Sequence, residues 1–395
     1  MKNNRTFLEK LLDGAEVKWK PLINVASLTR GRVISKEYLA NNLGDYPVYS
    51  SQTVNNGEIG KINSFDFDGE FVSWTTDGAN AGTVFYRSGK FSITNVCGLI
   101  KIQNNLELNY KFLFYWLSIE AKNHVYSGMG NPKLMSHQME KILIPIPPLS
   151  VQTEIVKILD ALTALTSELT SELTLRRKQY EYYREKLLSE EELGKVGFEW
   201  KTLGDVAKIQ RGASPRPISQ YITDDPNGIP WIKIGDTSLD SKYIENTAQK
   251  ITIEGAEKSR ILKSGDFVMS NSMSYGRPYI LKISGAIHDG WASISDFENI
   301  LNSDFLYYYL SSNTVQSYWN GKINSSSVSN LNSDIIKSLP IPIPTLNIQI
   351  EIAKTLDKFE ILTNSITEGL PLAIEQSQKR YEYYRELLLN FPVRE

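Results

Sequence analysis

The side chains best suited to chemistry in this chain are amides, hydroxyls and guanidinium groups gathered in turn-rich loops. Such groups carry the paired donors and acceptors that read nucleobase edges: Asn or Gln grips adenine, and Arg or Lys grips guanine. Three loops of the first half fit this chemistry: Ser50-Ser51-Gln52-Thr53-Val54-Asn55-Asn56-Gly57, Thr75-Thr76-Asp77-Gly78-Ala79-Asn80 and Gly128-Met129-Gly130-Asn131-Pro132-Lys133. Two more lie in the second half, Ser270-Asn271-Ser272-Met273-Ser274-Tyr275-Gly276-Arg277 and Lys322-Ile323-Asn324-Ser325-Ser326-Ser327. The loop after Arg211, with Arg216, is a further basic candidate. Asn-Gly and Asp-Gly pairs are also hairpin chemistry, so each residue taken singly fits an ordinary surface turn as well.

Catalytic groups are scarce by contrast. The single cysteine, Cys97, can form neither an intramolecular disulfide nor a thiolate zinc site. His124, His137 and His288 are too scattered to suggest a metal cluster. Asn131-Pro132-Lys133-Leu134 is the nearest fragment to an adenine methyltransferase loop, and it lacks the aromatic that stacks on a flipped base. Gly60-Lys61 and Gly321-Lys322 contain the commonest dipeptide of a phosphate loop without the rest of the motif. Asp13 with Glu16-x-Lys18 imitates part of a metal-dependent nuclease triplet, which chance often produces. No cofactor and no metal is expected, and the chain is expected to be non-catalytic.

The 395 residues suit two domains of ordinary size, and 41% hydrophobic content supports real cores. A formal charge of −2 does not announce a chain that grips many phosphates alone. Nucleic-acid binding must therefore rest on local basic patches or be shared with a partner. The start MKNNRTFLEKLLDG lacks the apolar run of a signal peptide, and no stretch approaches the roughly 20 apolar residues of a membrane span. A soluble cytoplasmic protein without membrane contact is expected.

These loops belong to a chain that repeats itself. IPIPPLSVQTEIVKILD (144–160) returns as IPIPTLNIQIEIAKTLD (341–357), and YEYYREKLL (180–188) as YEYYRELLL (381–389). Upstream, KWKPLINVASLTRG (18–31) pairs with EWKTLGDVAKIQRG (199–212), and FLFYWL (112–117) with FLYYYL (305–310). The order is the same in both halves, which marks a tandem duplication. Glu9-Lys10-Leu11-Leu12 echoes Glu185-Lys186-Leu187-Leu188, so the repeat order is read as nearly circular, against the alternative of an ordinary starting helix.

Each half divides again. Short β-like runs such as GEFVSW and GTVFYR, separated by turns, end at Pro145-Ile146-Pro147-Pro148, which cannot lie inside a helix. A long helix follows, with Ser150 as a candidate cap. Ile155, Leu162, Leu169 and Tyr183 fall on seven-residue steps, with Leu159, Leu173, Tyr180 and Leu187 four residues later. This is an a/d seam interrupted by Thr166 and Arg176. About 38 residues of helix span roughly 57 Å. The direct repeat TSEL-TSEL (166–173) adds about 6 Å per unit and nearly one turn, which suits a ruler. The second helix has four extra residues between its repeated ends, a stutter, and Gly369-Leu370-Pro371 should kink or break it. Tyr180, Tyr182, Tyr183 and Arg184 could stack on bases, but on a seam they are expected to be packing.

Globular region, Pro147-Pro148-Leu149-x-x-Gln152-x-x-Ile155 junction and long helix, then all of it again with Pro344-Thr345-Leu346-x-x-Gln349-x-x-Ile352, resembles the type I restriction-modification specificity subunit over essentially the whole chain. The departure is Thr345 where the first copy has Pro148. The resemblance implies an α+β chain with two target-recognition domains built on twisted β-sheets. Two long antiparallel helices in a coiled-coil-like pair would separate them, with an internal pseudo-twofold repeat. The expected divisions are 1–143 and 193–339 for the recognition domains, and 144–192 and 340–395 for the helical spacers. The implied partners are double-stranded DNA, two methyltransferase subunits and, in the full complex, motor-nuclease subunits. The loops above then nominate DNA contacts: Ser50, Gln52, Asn55, Asn56, Thr75, Thr76, Asn80, Asn131 and Lys133 in the first domain. In the second they nominate Arg211, Arg216, Asn271, Ser274, Tyr275, Arg277, Lys322, Asn324 and Ser325. A scaffold holding two identical partners is the rival reading. It predicts matching surfaces on both domains, whereas the helical ends match closely here and the globular loops do not.

Overall fold

The computed structural model describes residues 6–128, 130–238, 241–271, 275–324, 330–365 and 367–391. They form two compact units, 1–168 with 375–395, and 169–374. Each unit joins one globular domain to the near ends of both long helices.

In the first unit a six-stranded sheet runs in the order Ala26–Arg30, Cys97–Ile102, Phe67–Thr75, Val84–Ile93, Leu43–Tyr49, Glu58–Ile62. Aromatic and β-branched residues favour the long Phe67–Thr75 and Val84–Ile93 strands, which pair antiparallel from Phe67↔Phe91 to Trp74↔Val84. Trp74 is fully buried opposite Gly98, where a β-carbon would come within 2.1 Å of the indole. Glycine is required there because the ring crosses the strand. The helix Tyr110–Glu120 packs Phe112, Leu113 and Leu117 into the same core as Val72 and Ile100.

The second unit has a sheet ordered Lys208–Arg211, Trp291–Ser295, Phe267–Ser270, Pro278–Leu281, Tyr243–Ile244. Its first four strands repeat the order of the first four in the other unit. The edges differ: here a further five-stranded sheet is added, Ile222–Thr223, Lys250–Ile251, Ile229–Ile232, Gly285–Ile287, Arg260–Leu262. Duplication has kept the sheet centre and the helix Ser303–Leu310, and changed the periphery.

The proline-marked junctions are two-stranded ribbons. Lys18–Pro21 pairs with Leu143–Ile146 and Glu199–Thr202 with Pro340–Ile343, which sets Pro145 opposite Trp19 and Pro342 opposite Trp200. Such short edge ribbons tolerate proline, since little of the ladder is lost. The motif glutamine explains the rest. Gln152 is fully buried; its Oε1 accepts from Asn109 N at 2.9 Å, and its Nε2 donates to Glu107 O and Pro147 O at 2.8 and 2.9 Å. Gln349 repeats this with Asn302 N at 2.8 Å, Ile300 O at 3.0 Å and Pro344 O at 2.8 Å. Asn109 and Asn302 in turn cap the helices Tyr110–Glu120 and Ser303–Leu310. One amide therefore ties each long helix to the domain before it.

The first long helix, Leu149–Leu187, is continuous over 39 residues. Its seam residues are sheltered among exposed neighbours, including Thr166 and Arg176. In the first unit Thr166 meets Ser377 of the helix Gly369–Leu389 at 2.8 Å, while Leu159 and Leu388 share one core. In the second unit Tyr183 stacks on Phe359 of the helix Leu346–Asn364, with ring centroids 5.5 Å apart, and Arg177 donates to Thr363 O at 3.4 Å. Both pairings run antiparallel. The expected break is present: Leu346–Asn364 and Gly369–Leu389 are separate helices, Gly369 has φ +81° and Pro371 sits in the first turn of the second. Of the tyrosine cluster, Tyr180 is buried and Tyr183 half-buried as packing, but Tyr182 is 58% exposed.

The circular reading, which matched Glu9–Leu12 with Glu185–Leu188, is corrected. The short N-terminal helix Phe7–Leu12 precedes its strand as Glu190–Gly194 precedes Glu199–Thr202. Leu388, Leu389 and Phe391 fill the first unit's core, where Tyr180, Leu188 and Leu193 fill the second's. The C-terminus completes the first unit, and the echo at Glu9 is not its counterpart. Among the described residues no helix is long and apolar enough to cross a membrane.

Candidate nucleic-acid interface

The three loops of the first domain converge. Ser50–Gly57 closes on itself through Ser50 N to Gly57 O at 2.9 Å, with Asn55, Asn56 and Gly57 all left-handed at φ 51°, 53° and 81°. Asn and Gly are the residues that tolerate this backbone, which accounts for the Asn-Asn-Gly sequence. Gln52 Nε2 donates to Glu58 O and helps to close the loop. Asn80 Nδ2 donates to Ser51 O at 2.9 Å, which ties the second loop to the first. Gly78 N donates to Pro132 O at 3.0 Å, and the backbones of Asp77 and Lys133 pair as an isolated antiparallel bridge, which ties the third to the second. Gln52, Asn55, Asn56, Asn131 and Lys133 are exposed; Ser50, whose hydroxyl accepts from Thr94 Oγ1 at 2.9 Å, and Asn80 are half-buried. The expectation that Thr75 and Thr76 lie in an open surface turn is corrected. They are 1% and 0% exposed, because Thr75 ends a central strand and Thr76 follows it with its N–H bonded to Val96 O, and Thr76 Oγ1 accepts from Arg30 at 3.2 Å.

Arg30 and Arg87 belong to this surface without having been singled out in the sequence. Arg30 is exposed at the end of its strand and donates to Asn95 O at 2.6 Å. Arg87 lies beneath the first loop at 3% exposure, 3.6 Å over the Tyr49 ring, with Nε donating to Ser73 Oγ at 3.1 Å. Burial pulls its guanidinium down to about 10. Its Nη1, like Thr75 Oγ1 and Asp77 Oδ1, has no hydrogen-bond partner among the described residues.

In the second domain, Arg211, Arg216 and Asn271 gather on Asp289. Arg211 Nε and Asn271 Nδ2 each donate to Asp289 O at 3.2 Å, and Arg216 reaches its carboxylate at 3.6 Å. Ser214 Oγ donates to that carboxylate at 2.9 Å. Burial works against the charge, but the Ser214 bond and the nearby His288 and Arg211 outweigh it and hold the carboxyl below its usual range. Arg211 is the structural counterpart of Arg30: Arg211 lies opposite Ala292 as Arg30 lies opposite Gly98. Each donates to the carbonyl three residues before its partner, Asp289 O or Asn95 O. The LTRG/IQRG pairing in the repeat carried this signal for Arg30; nothing in the sequence pointed to Arg87 or Asp289.

Arg211 and Arg216 are exposed, whereas Asn271 is 9% exposed and lines a cavity of about 290 Å³ with Arg211 and Asn332. Tyr275 is half-buried and donates to Asn320 Oδ1 at 2.6 Å, joining its loop to the helix Asn313–Asn324. Arg277 lies over Tyr279 at 5.4 Å, and Lys322, exposed on that helix, lies over Tyr318 at 5.4 Å. Ser274, Ser325 and the side chain of Asn324 lie outside the described residues. Each domain thus presents one polar surface of amides and cations, built on the same sheet centre from different loops.

A family model described as the type I restriction modification DNA specificity domain matches twice, at residues 15–175 and 195–376. The chain is 41% identical over 408 residues to a protein of Haemophilus influenzae named as a type I restriction enzyme specificity subunit, covering 99% of this chain and 100% of that one. It is 34% identical to a type I restriction enzyme specificity subunit of Escherichia coli, covering 98% and 97%. The crystal structure of a type I restriction-modification S subunit from M. genitalium superposes with a TM-score of 0.57 at 16% identity, covering 100% and 99% of the two chains. That of the specificity subunit from Thermoanaerobacter tengcongensis gives 0.53 at 17% identity, covering 95% and 97%; at such identities the likeness concerns the fold. With two family matches in tandem and full-length relatives above 30% identity, the chain belongs to the family of type I restriction-modification specificity subunits.

Proposed function

We propose that each globular domain reads one half of a bipartite double-stranded DNA target, and that the long helices set the distance between the halves and bind two methyltransferase subunits. The recognition domains are 1–143 and 193–339, and the spacers are 144–192 and 340–395. The chain is itself non-catalytic, works in the cytoplasm, and is joined by motor-nuclease subunits in the full complex. The observation that carries this reading is a contrast. The glutamine locks and ribbon junctions recur bond for bond in both units, while the loops on the polar surfaces differ. A scaffold for two identical partners has no need of divergent domain surfaces.

Identical partners are supported instead on the helices. Lys178, Glu181 and Tyr182 of one copy return as Lys379, Glu382 and Tyr383 of the other, all exposed, with the tyrosines at 58% and 63%. Packing does not require these side chains, so their repetition suits one kind of partner bound twice. A partner that carries phosphate contacts also suits the net charge of −2. Among the candidate contacts, exposed Gln52, Asn131, Lys133, Arg211, Arg216 and Lys322 are the natural readers of bases or phosphates.

The test is DNA binding by the chain assembled with its methyltransferase partner. A two-part sequence preferred over random duplex is expected, and loss of a bipartite methylated motif from cells lacking the gene should name the same target. Binding without sequence preference would refute the reading.

A further inference from the structure

The two units tie domain to spacer helix by the same tyrosine–aspartate contact, with the charge on the domain helix reversed. In the first, Tyr115 Oη donates to Asp160 Oδ1 at 2.6 Å and Lys111 Nζ to Asp160 Oδ2 at 2.5 Å. Lys111 and Tyr115 lie on the domain helix Tyr110–Glu120, and Asp160 on the spacer helix Leu149–Leu187. In the second, the repeat supplies Tyr308 and Asp357 at the matching places, and Tyr308 Oη lies 2.5 Å from Asp357 Oδ1 and 2.7 Å from Glu360 Oε2, with its single proton shared between the two carboxylates. The place of Lys111, one residue before FLFYWL, is taken by Asp304, one residue before FLYYYL.

The missing cation arrives from elsewhere in the chain. Lys242 Nζ lies 2.7 Å from Asp304, 3.0 Å from Asp357 and 4.0 Å from Glu360, with its side chain only 6% exposed. It also lies over the Tyr308 and Tyr307 rings at 4.6 and 4.9 Å. Lys242 is the residue before the edge strand Tyr243–Ile244, which pairs with Pro278–Leu281, and its own carbonyl accepts from Ile280 N at 3.0 Å. The ammonium therefore fastens the outer edge of the second recognition sheet to the spacer helix. The first unit draws its cation from the domain helix itself. A cavity of about 720 Å³, lined by Lys242, Tyr243, Asp357, Glu360, Ile361 and Asn364, opens beside the cluster.

We propose that Lys242 is a positioning residue that ties the edge of the second recognition sheet to its spacer helix, and so fixes how many unspecified base pairs the chain accepts between half-sites. This rests on the reading of the chain as a bipartite DNA reader. Two variants separate positioning from plain structure. Lys242→Met strands three carboxylates together and is expected to weaken folding. Adding Asp304→Lys restores a cation on the domain helix, as in the first unit, but leaves the sheet edge untied.

The assay measures affinity of the full complex with methyltransferase subunits for duplexes carrying both half-sites at the native spacing and one or two base pairs longer or shorter. Wild type is expected to prefer the native spacing. The double variant should regain wild-type thermal stability and read both half-sites, yet lose about tenfold of its discrimination between spacings, a factor worth about 1.4 kcal/mol. A stable double variant with wild-type spacing discrimination overturns the inference, as does a uniform loss of affinity at every spacing. A wild-type complex with no bipartite preference overturns the functional reading and the inference together, whereas a bipartite preference with unchanged spacing in the double variant overturns the inference alone.

Discussion

Gln152→Glu is a nearly isosteric change that should nonetheless be severe. The glutamine is fully buried, and its Nε2 donates to Glu107 O and Pro147 O at 2.8 and 2.9 Å. Glutamate replaces that donor with an oxygen facing two carbonyl oxygens. Each carbonyl left without its partner costs about 1–3 kcal/mol, and the buried carboxylate adds a desolvation penalty that protonation relieves only in part. The bond from Asn109 N to Oε1 survives, so the net loss should be about 4 kcal/mol at neutral pH. Burial raises the new carboxyl's folded-state pKa, so stability should recover as pH falls through that value and one oxygen becomes a donor again. Urea unfolding followed by far-ultraviolet circular dichroism measures this. Gln349→Glu makes the same three-bond replacement in the other unit, so the two losses should agree within about 1 kcal/mol. A loss below about 1 kcal/mol in either variant would refute the claim that this amide locks helix to domain.

Deleting one TSEL unit from 166–173 should shorten the unspecified spacer and leave both half-sites unchanged, as read from the methylated motif; unaltered spacing would sink the ruler idea. Lys133→Ala should weaken DNA binding across sequences and reduce the slope of log affinity against log salt by about 1, whereas a changed sequence preference would mark Lys133 as a base reader. Arg30→Ala should damage recognition of one half-site and Arg211→Ala the other, since each sits at the same strand end of its own domain; the two variants are compared on duplexes mismatched in one half at a time. Burial lowers the Lys242 ammonium, but the bond and charge of Asp304, then of Asp357 and Glu360, more than reverse this and raise it above the ordinary lysine value. Its stabilising contribution is therefore full below about pH 10.4 and lost only as pH rises through the folded value. The stability gap between wild type and Lys242→Met should stay constant from pH 7 to about 10, and a gap that closes by about pH 9 would contradict the assignment.

Much of this architecture is written in local sequence. Helix ends, proline junctions, the seam and the Gly369–Pro371 break depend on backbone rules and spacing that a single chain displays directly. The repeat did more, since two copies of IPIP-x-L-x-x-Q say that one bonding scheme is used twice. Turn-forming Asn55-Asn56-Gly57 was legible for the same local reason.

Tertiary structure alone decided the rest. Thr75 and Thr76 look like loop residues in sequence, but the sheet buries them, because burial depends on neighbours 20 or more residues away, such as Val96 O accepting from Thr76 N at 3.0 Å. Arg87 sits in a strand where period-two reading leaves its face undecided, and only packing over the Tyr49 ring puts it beneath the loop Ser50–Gly57. The C-terminal residues complete the first unit because Leu388, Leu389 and Phe391 find the core that Leu188 occupies in the second. Above all, the replacement of Lys111 by Asp304 reads as simple divergence along the chain, and its compensation by Lys242 appears only when the sheet edge is folded against the helix. Spacing along a chain determines which local elements form; which charges meet is settled by contacts distant in sequence.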